Sequence, residues 1–246
     1  MVLLSLTLLH AAPTTQQKKH AFKTAAVIPA DAKIWIQKLS QPEPIERRNA
    51  AIRIAYGKWP AAVPYLIRTL SDPEPDVRRA CVQALGTIGE KKQSPIALKK
   101  LLREEKSPAV RMTLLETLGQ LRVENAIPEF KKAVSDPNTQ IRTAALDGLS
   151  QWTHPEVDSL LLQALKDPAE GVRITAMNGL GRRKTSAARD PILSQIQDPI
   201  SQVRRAAINA LKEIGLTGEI KEKLKQLRTS EKNPSVLQAL EEALKP

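Results

Sequence analysis

The sequence predicts an all-α fold: a right-handed α-solenoid of about six antiparallel helix pairs, with a single capping helix at each end. The first observation is a repeat motif, Asp-Pro followed by Val-Arg or Ile-Arg, that returns every 30 to 33 residues. The second is a helical stripe of apolar residues after each motif. The third is a shorter apolar segment before the next motif. Self-similarity at a fixed period of this length is typical of solenoids.

The segment after each motif has the apolar spacing of an amphipathic helix. From Val77 the apolar residues follow at i, i+3, i+4, i+7, i+8 and i+11, and the same spacing starts at Val110, Ile141 and Val203. This spacing places them on one helical face. Small residues often fill the +3 and +4 positions, so we expect helices of adjacent repeats to stack closely.

Start and end signals accompany the stripe. We expect the motif Asp to accept hydrogen bonds from the free amides of the first helical turn. The Pro that follows has no amide to leave unpaired. Glycines near the other end of the stripe predict left-handed helix caps; they are Gly86, Gly119, Gly181 and Gly215.

The repeat array is predicted to cover residues 31–246. Its repeats lie near 41–70, 71–102, 103–134, 135–165, 166–196 and 197–227, each with a first helix after the motif and a shorter second helix before the next. Residues 31–39 are predicted to form a lone second helix, and the C-terminal cap at 228–246 contains a lone first helix. Such terminal units close an otherwise open hydrophobic end.

These motifs and stripes resemble HEAT repeats, specifically the short HEAT-like type of the phycobilisome lyases. The resemblance covers roughly residues 41–245 and rests on five or more copies that agree with one another. It implies the solenoid fold. It implies little about function, because repeats of this type serve lyases, chaperones, scaffolds and nucleic-acid binders.

The residues before the array differ in composition. Residues 1–12 are apolar, and the polar and basic stretch at 13–30 follows them. We interpret them as a signal peptide and a flexible linker, which predicts export to the periplasm or the exterior. An apolar tail on a cytoplasmic protein is the alternative, because no Lys or Arg precedes the apolar run. That run is too short to span a membrane.

The chain is basic and poor in aromatic residues. Its 38 Lys and Arg outnumber its 26 Asp and Glu, which gives a net charge of +12, and only 3% of its residues are aromatic. A basic chain favours anionic partners, but the charge alone does not choose between nucleic acid and an acidic protein surface. The single cysteine, Cys81, lies on the apolar stripe, so we expect a small buried hydrophobe and no internal disulfide.

Charged residues of the motif recur in pairs along the chain. The structural interpretation is that Asp caps a helix while Arg binds the backbone or the Asp of the adjoining repeat. The functional alternative is a ladder of arginines that binds anions. The pairs are Asp72 with Arg78, Asp136 with Arg142, Asp167 with Arg173 and Asp198 with Arg204, and Glu105 with Arg111 is a variant.

Two groups of cations are candidate binding residues. The first lies on the second helices and comprises Arg68, Lys99, Lys100, Lys131, Lys132 and Lys225. In related folds the second helices line the concave surface, where helices about 10 Å apart would form a basic stripe that a polyanion could follow. The alternative is a set of solvated cations near helix C-termini.

The second group is the turn Arg182, Arg183 and Lys184. Arg183 occupies a stripe position that is apolar in the other repeats. It marks either a loop used for contact or a helix that ends one turn early and exposes the arginine.

No catalytic site is predicted, and no metal or cofactor is expected. The chain has three His and one Cys, which is too few for a Cys/His zinc cluster. The sequence also lacks the glycine-rich phosphate-binding loops and the GxSxG elbow.

Two functions therefore stand as hypotheses. The first is a non-enzymatic scaffold or adaptor that presents a basic extended face to another protein with an acidic surface. The second is binding of nucleic-acid phosphates on a basic concave face. The scarcity of aromatic residues and the acidic stretch at 135–165 count against it. A role as a bilin-lyase-like chaperone has the least support, and the sequence does not indicate an oligomeric state.

Overall fold

The computed structural model describes residues 28–245, and within them it contains fourteen α-helices and no strand. The first helices of the repeats are α2 Pro44–Gly57, α4 Pro75–Ile88, α6 Pro108–Gln120, α8 Thr139–Leu149, α10 Glu170–Arg182, α12 Ser201–Ile214 and α14 Pro234–Leu244. The second helices are α1 Ala30–Lys38, α3 Val63–Thr69, α5 Ser94–Glu104, α7 Ile127–Ala133, α9 Pro155–Ala164, α11 Arg189–Leu193 and α13 Gly218–Ser230.

Four short 3₁₀ turns extend three of the second helices. The turns are Pro60–Ala62, Glu124–Ala126, Ser186–Ala188 and Ser194–Gln197, and the last two flank α11. Six helix pairs stand between the single helices α1 and α14, which confirms the predicted all-α solenoid. The predicted signal peptide at 1–12 lies outside the described residues, as does most of the linker predicted at 13–30.

The two layers of helices are spaced differently. First helices of successive repeats contact one another closely along the whole array, whereas successive second helices contact one another little. In a bent stack of helix pairs, the layer with the shorter spacing lies on the inside of the bend. The first helices are therefore the more closely spaced layer, which we call the inner layer, and this spacing does not support the expectation that second helices line the concave surface.

The core lies between the layers and is built from the predicted stripes. Val77, Cys81 and Leu85 of α4 are each at most 1% exposed, as are Ile141 and Leu149 of α8. Each first helix therefore buries one apolar face against its own second helix and its neighbours. Burial of this stripe in every repeat is the main favourable term in the stability of the array.

Three of the four glycines predicted as left-handed caps have a packing role instead. Only Gly215 has a positive φ, of 107°. Gly86, Gly119 and Gly181 lie inside first helices, where neighbouring helices are closest. A Cβ on Gly119 would lie 2.6 Å from Cα of Gly148 in the next first helix. The absent side chain permits this approach.

Two aromatic residues fill the middle of the core. Phe130 and Trp152 are buried, and their ring centroids lie 4.7 Å apart at an angle of 64°, an edge-to-face arrangement that aromatic pairs favour. The indole Nε1 of Trp152 donates a hydrogen bond to the carbonyl oxygen of Gly119 at 3.0 Å. The polar group of this buried ring is therefore satisfied by the preceding repeat.

Candidate functional site

The motif arginines form a ladder of ion pairs between repeats. Nη1 of Arg142 donates to the carbonyl oxygens of Asp136 and Pro137 in its own motif, at 2.8 and 3.2 Å. Its Nε and Nη2 donate to the two carboxylate oxygens of Asp167 in the next repeat, each at 2.8 Å. One side chain therefore closes its own loop and holds the following loop through a two-pronged, charge-assisted contact.

Ion pairs between the motif arginine and a carboxylate of the next repeat continue along the array. The other rungs are Arg47 with Asp72, Arg78 with Glu105, Arg111 with Asp136, Arg173 with Asp198, and Arg204 with Glu231. Hydrogen bonds from Arg204 lower the pKa of Glu231 to about 2, although burial acts in the opposite direction. Because each of these arginines already has a carboxylate partner, the ladder joins repeats and offers no row of unpaired guanidinium groups to an anion.

The motif aspartates do not cap the helices as predicted. Oδ1 of Asp136 accepts a hydrogen bond from the amide of Asn138 at 2.9 Å, and Asn138 is itself the residue that caps α8 through its side chain. The aspartate therefore shapes the turn before the helix, as Asp commonly does. In α4 likewise the first helical residue is Pro75 and not the motif proline, Pro73.

The predicted cations on the second helices lie on the outer layer. Three of them have partners within the chain: Lys99 with Asn125, Lys131 with Glu156, and Lys225 with Glu222. The other three, Arg68, Lys100 and Lys132, are exposed. The six residues lie on α3, α5, α7 and α13, so the row is interrupted at α9 and α11.

Two of the three cations at the turn after α10, Arg182 and Arg183, form contacts within the chain. Arg183 donates to the carbonyl oxygen of Trp152 and pairs with Asp158, and its side chain is only 15% exposed. The expected exposure of Arg183 is therefore wrong, since an ion pair replaces the apolar contact of the other repeats. Lys184 is exposed and has a left-handed φ of 53°. Of the three predicted residues, Arg182 reaches the inner layer, where it contacts α8.

A groove runs along the inner layer, across the exposed faces of the first helices. We define the groove row as the position five residues after each ladder arginine, and the equivalent position of α14. Its members are Ile52, Gln83, Glu116, Asp147, Asn178, Asn209 and Glu242. Six of the seven line one of two clefts, and Asp147 lies between the clefts.

The N-terminal cleft lies across α2, α4 and α6 and has a volume of about 450 Å³. Ile52 and Tyr56 give it an apolar side, and the Tyr56 side chain is exposed, at 79%. The polar part of its lining includes Lys58, Gln83 and Glu116.

The C-terminal cleft lies across α10, α12 and α14 and has a volume of about 580 Å³. It is more polar, and its lining includes Asn178, Asn209, Arg205 and Gln238.

The centre of the groove is acidic. Burial raises the pKa of Glu116, and the nearby Asp147 raises it further. Burial also raises the pKa of Asp147, while Arg182 lowers it in part. Nη2 of Arg182 lies 3.6 Å from Asp147 and donates to Ser150 at 2.9 Å. Arg182 therefore contacts both Asp147 and Ser150, on the C-terminal side of the carboxylate pair.

The groove row was not predicted from the sequence. In the sequence, the carboxylates of the groove row are among many others that are spread over the helix faces. The signal that identifies them is the alignment of the repeats, because the same column faces the groove in every first helix.

Metal and membrane sites are absent from the described part of the chain. Between residues 28 and 245, no group of three or more His, Cys, Asp or Glu side chains could hold a metal ion. No helix in this range has the length and apolar character needed to cross a membrane.

Comparison with known proteins identifies a family and several relatives. The family model described as HEAT repeats matches residues 32–105, 95–172 and 157–245. The alpha subunit of phycocyanobilin lyase from Nostoc sp. (strain PCC 7120) is 33% identical over 127 residues, which are 47% of this chain and 46% of the relative. The chain therefore matches about half the length of that curated relative.

Solved structures share the solenoid. Escherichia coli YibA is 21% identical with a TM-score of 0.59, over 86% of this chain and 91% of the other. An engineered protein is 14% identical with a TM-score of 0.53, over 87% and 67%. The complex of CpcE and CpcF of phycocyanin lyase from Nostoc sp. PCC7120 is 19% identical, with a TM-score of 0.48 and full coverage of both chains. At these identities the first two show the fold alone.

Proposed function

The chain belongs to the HEAT-repeat family, and from this premise we propose that it is a non-enzymatic scaffold that binds another polypeptide in the groove of its first helices. The observation that carries the proposal is the groove row, which places a solvent-facing side chain at the same position in seven successive first helices. Neighbouring repeats join these positions into one extended binding surface.

The relatives support a role with a partner chain. The Nostoc relative is named as a subunit of a lyase, and a subunit acts together with another polypeptide. Because the match covers about half of each chain, we do not transfer the lyase activity itself.

The outer layer is proposed as a second, weaker surface. Arg68, Lys100 and Lys132 are exposed there, and an acidic protein surface would complement them. Nucleic acid is the less favoured partner for this layer, because binding along a phosphate backbone draws on several cations at once. Three of the six cations are engaged within the chain, and no member of the row lies on α9 or α11.

Affinity capture with matched baits tests the proposal. The groove variant combines Asn178→Trp with Asn209→Trp, which fills the C-terminal cleft from two exposed positions. The outer variant combines Lys100→Glu with Lys132→Glu. Circular dichroism spectra must match that of the wild type before either bait is used.

We expect quantitative mass spectrometry to find a protein that is retained by the wild type and by the outer variant and lost with the groove variant. Loss with the outer variant alone would move the binding site to the second helices. In parallel, fluorescence anisotropy with labelled duplex DNA should show no binding at physiological salt; binding that persists there and falls linearly with salt on a double-logarithmic plot would favour nucleic acid instead.

A further inference from the structure

We propose that one edge of the array, formed by the turns from each first helix to its own second helix, binds a membrane surface that contains anionic lipids. We call it the turn edge, and it comprises residues 58–59, 89–93, 121–123, 150–154, 183–185 and 215–217. The opposite edge, formed by the turns from each second helix to the next first helix, is the motif edge and holds the ion-pair ladder. The inference goes beyond the proposed function, because it concerns a different surface from the groove row.

The two edges differ in charge. Every turn of the motif edge contains an Asp or Glu, from Glu43 in the first turn to Glu231 in the last. The six turns of the turn edge contain one carboxylate, that of Glu90, which accepts hydrogen bonds from the backbone amides of residues 92, 93 and 94. The same edge carries five exposed cations, which are Lys58, Lys91, Lys92, Arg122 and Lys184.

These five cations are not used inside the array. Between residues 28 and 245 the ion pairs involve other side chains, and none of the five takes part in one. Arg183 also lies at the turn edge, but it pairs with Asp158 and is therefore not counted among them. The motif edge neutralises its charges through the ladder, whereas the charges of the turn edge remain available to an anionic surface.

Three of the cations occupy the same left-handed position of the repeat. Lys58, Arg122 and Lys184 have φ values of 47°, 53° and 53°, and the corresponding residues of two other repeats are Gly89 and Gly215. A left-handed backbone is unstrained for Gly and disfavoured for Lys or Arg. The helix dipole favours a cation near a helix C-terminus, but a cation in the last helical turn satisfies it without this backbone. The local backbone therefore does not account for the basic residues.

Exposed apolar side chains accompany the cations and favour a membrane over a soluble polyanion. Tyr56 and Ile96 are 79% and 69% exposed. Tyr56 precedes Lys58 by two residues, and Ile96 lies in the first turn of α5, directly after residues 89–93. Peripheral membrane binding combines inserted apolar groups with cations that attract anionic lipids. The phosphates of a nucleic acid offer no apolar group to Ile96.

The chain also enters the array at this edge. The helix α1 is a second helix and ends at the motif edge, in the turn where Arg47 donates to the carbonyl oxygens of Gln41 and Pro42. Its first residue, Ala30, therefore lies at the turn edge, and the apolar residues 1–12 are joined to the array on that side. A membrane at the turn edge would thus lie on the side to which this apolar segment is attached.

Co-sedimentation of the full chain with large unilamellar vesicles tests the proposal at physiological ionic strength. The vesicles contain phosphatidylcholine alone, or phosphatidylcholine and phosphatidylglycerol in equal parts. The turn-edge variant combines Lys58→Gln, Arg122→Gln and Lys184→Gln. The control removes the same charge from three exposed residues of the motif edge, by Lys106→Gln, Lys166→Gln and Lys232→Gln.

We expect the wild type and the control to bind the mixed vesicles and neither to bind phosphatidylcholine alone. One basic residue near an anionic membrane surface strengthens binding roughly fivefold, so the turn-edge variant should bind about tenfold more weakly or worse. Equal weakening in the control would attribute the binding to net charge and overturn the role of the turn edge. Failure of the wild type to bind the mixed vesicles would overturn the proposal as well.

Two further measurements separate a membrane from a soluble polyanion. Ile96→Ser keeps the charge and should weaken vesicle binding by about threefold or more, because an apolar contact is lost; unchanged binding would contradict that contact. Fluorescence anisotropy with a labelled glutamate decamer should show no dependence on Ile96. If the decamer binds through the three turn-edge cations while vesicles do not bind, the edge belongs to a soluble acidic partner and the membrane proposal is wrong.

Glycine at the left-handed positions tests the backbone argument. The variant with Lys58→Gly, Arg122→Gly and Lys184→Gly should bind vesicles as weakly as the glutamine variant. It should unfold at higher urea than the glutamine variant, because glycine relieves the left-handed strain. A lower urea midpoint would show that side chains at these positions serve stability, and would contradict their assignment to binding.

Discussion

Replacing Gly119 with alanine tests whether the first helices form the closely packed inner layer. The new Cβ would lie 2.6 Å from Cα of Gly148, whereas ordinary contact begins at 3.4 Å. The obstacle is backbone, so no side-chain rotation relieves it, and α6 and α8 must separate by roughly 0.8 Å, the difference between these two distances.

The magnitude follows from two opposing terms. Overpacking a tight contact costs about 1–3 kcal/mol, and alanine recovers about 1 kcal/mol of helix propensity relative to glycine. The net loss in the free energy of unfolding is therefore up to about 2 kcal/mol. Gly171→Ala is the matched control, because a Cβ there meets no atom within 4 Å. We expect it to be neutral or to stabilise by up to about 1 kcal/mol.

The assay is urea unfolding followed by circular dichroism, with the free energies compared at equal m-values. Gly119→Ala should unfold at lower urea than the wild type, and Gly171→Ala at the same or higher urea. Equal midpoints for the two variants would refute the close approach of α6 and α8, and with it the assignment of the inner layer.

Three further predictions concern the ladder and the core. Asp167→Ala should lower the free energy of unfolding by about 2 kcal/mol, because it leaves Arg142, which is 12% exposed, without its carboxylate; urea unfolding measures this, and a neutral result would contradict a ladder that stabilises the array. The folded pKa of Glu231, about 2, lies below its ordinary 4.5, so its pair with Arg204 stabilises fully above pH 4.5 and the contribution is lost as pH falls toward 2. The urea midpoints of wild type and Glu231→Gln should therefore converge over that range, and a constant difference would refute the linkage. Cys81 is fully buried, which raises its thiol pKa, so a thiol reagent should label it only in urea, and rapid labelling of the native protein would contradict its burial.

The fold could be predicted because its signals are local. The stripe that starts at Val77 and the end of α4 near Ile88 depend on residues within one helix, and the repeated copies reinforce each other. The helix start was predicted two residues too early, with Asp72 as the cap and Pro73 as the first helical residue, whereas the helix starts at Pro75. The Asp72 carboxylate binds the amide of Glu74, which itself precedes the helix, and a cap and a preceding turn share the same residue preferences.

The groove could not be predicted in the same way. Whether first or second helices form the inner layer depends on the distance between helices of different repeats, which Gly119 and Gly148 set through a contact across the array. Lys100 and Lys132 were predicted as binding residues because of their charge, although they lie on the outer layer. Glu116 and Asp147 carry ordinary acidic side chains, and only their shared position on adjacent inner helices distinguishes them.

Site-specific photo-cross-linking tests the central claim, that the groove of the first helices is where the partner binds. A photoreactive amino acid is placed at Asn178 in the groove or at Lys100 on the outer layer, and the full chain is irradiated in cells of its source. We predict a protein adduct from Asn178 and none from Lys100. Adducts from Lys100 alone, or none from either position, would contradict the account.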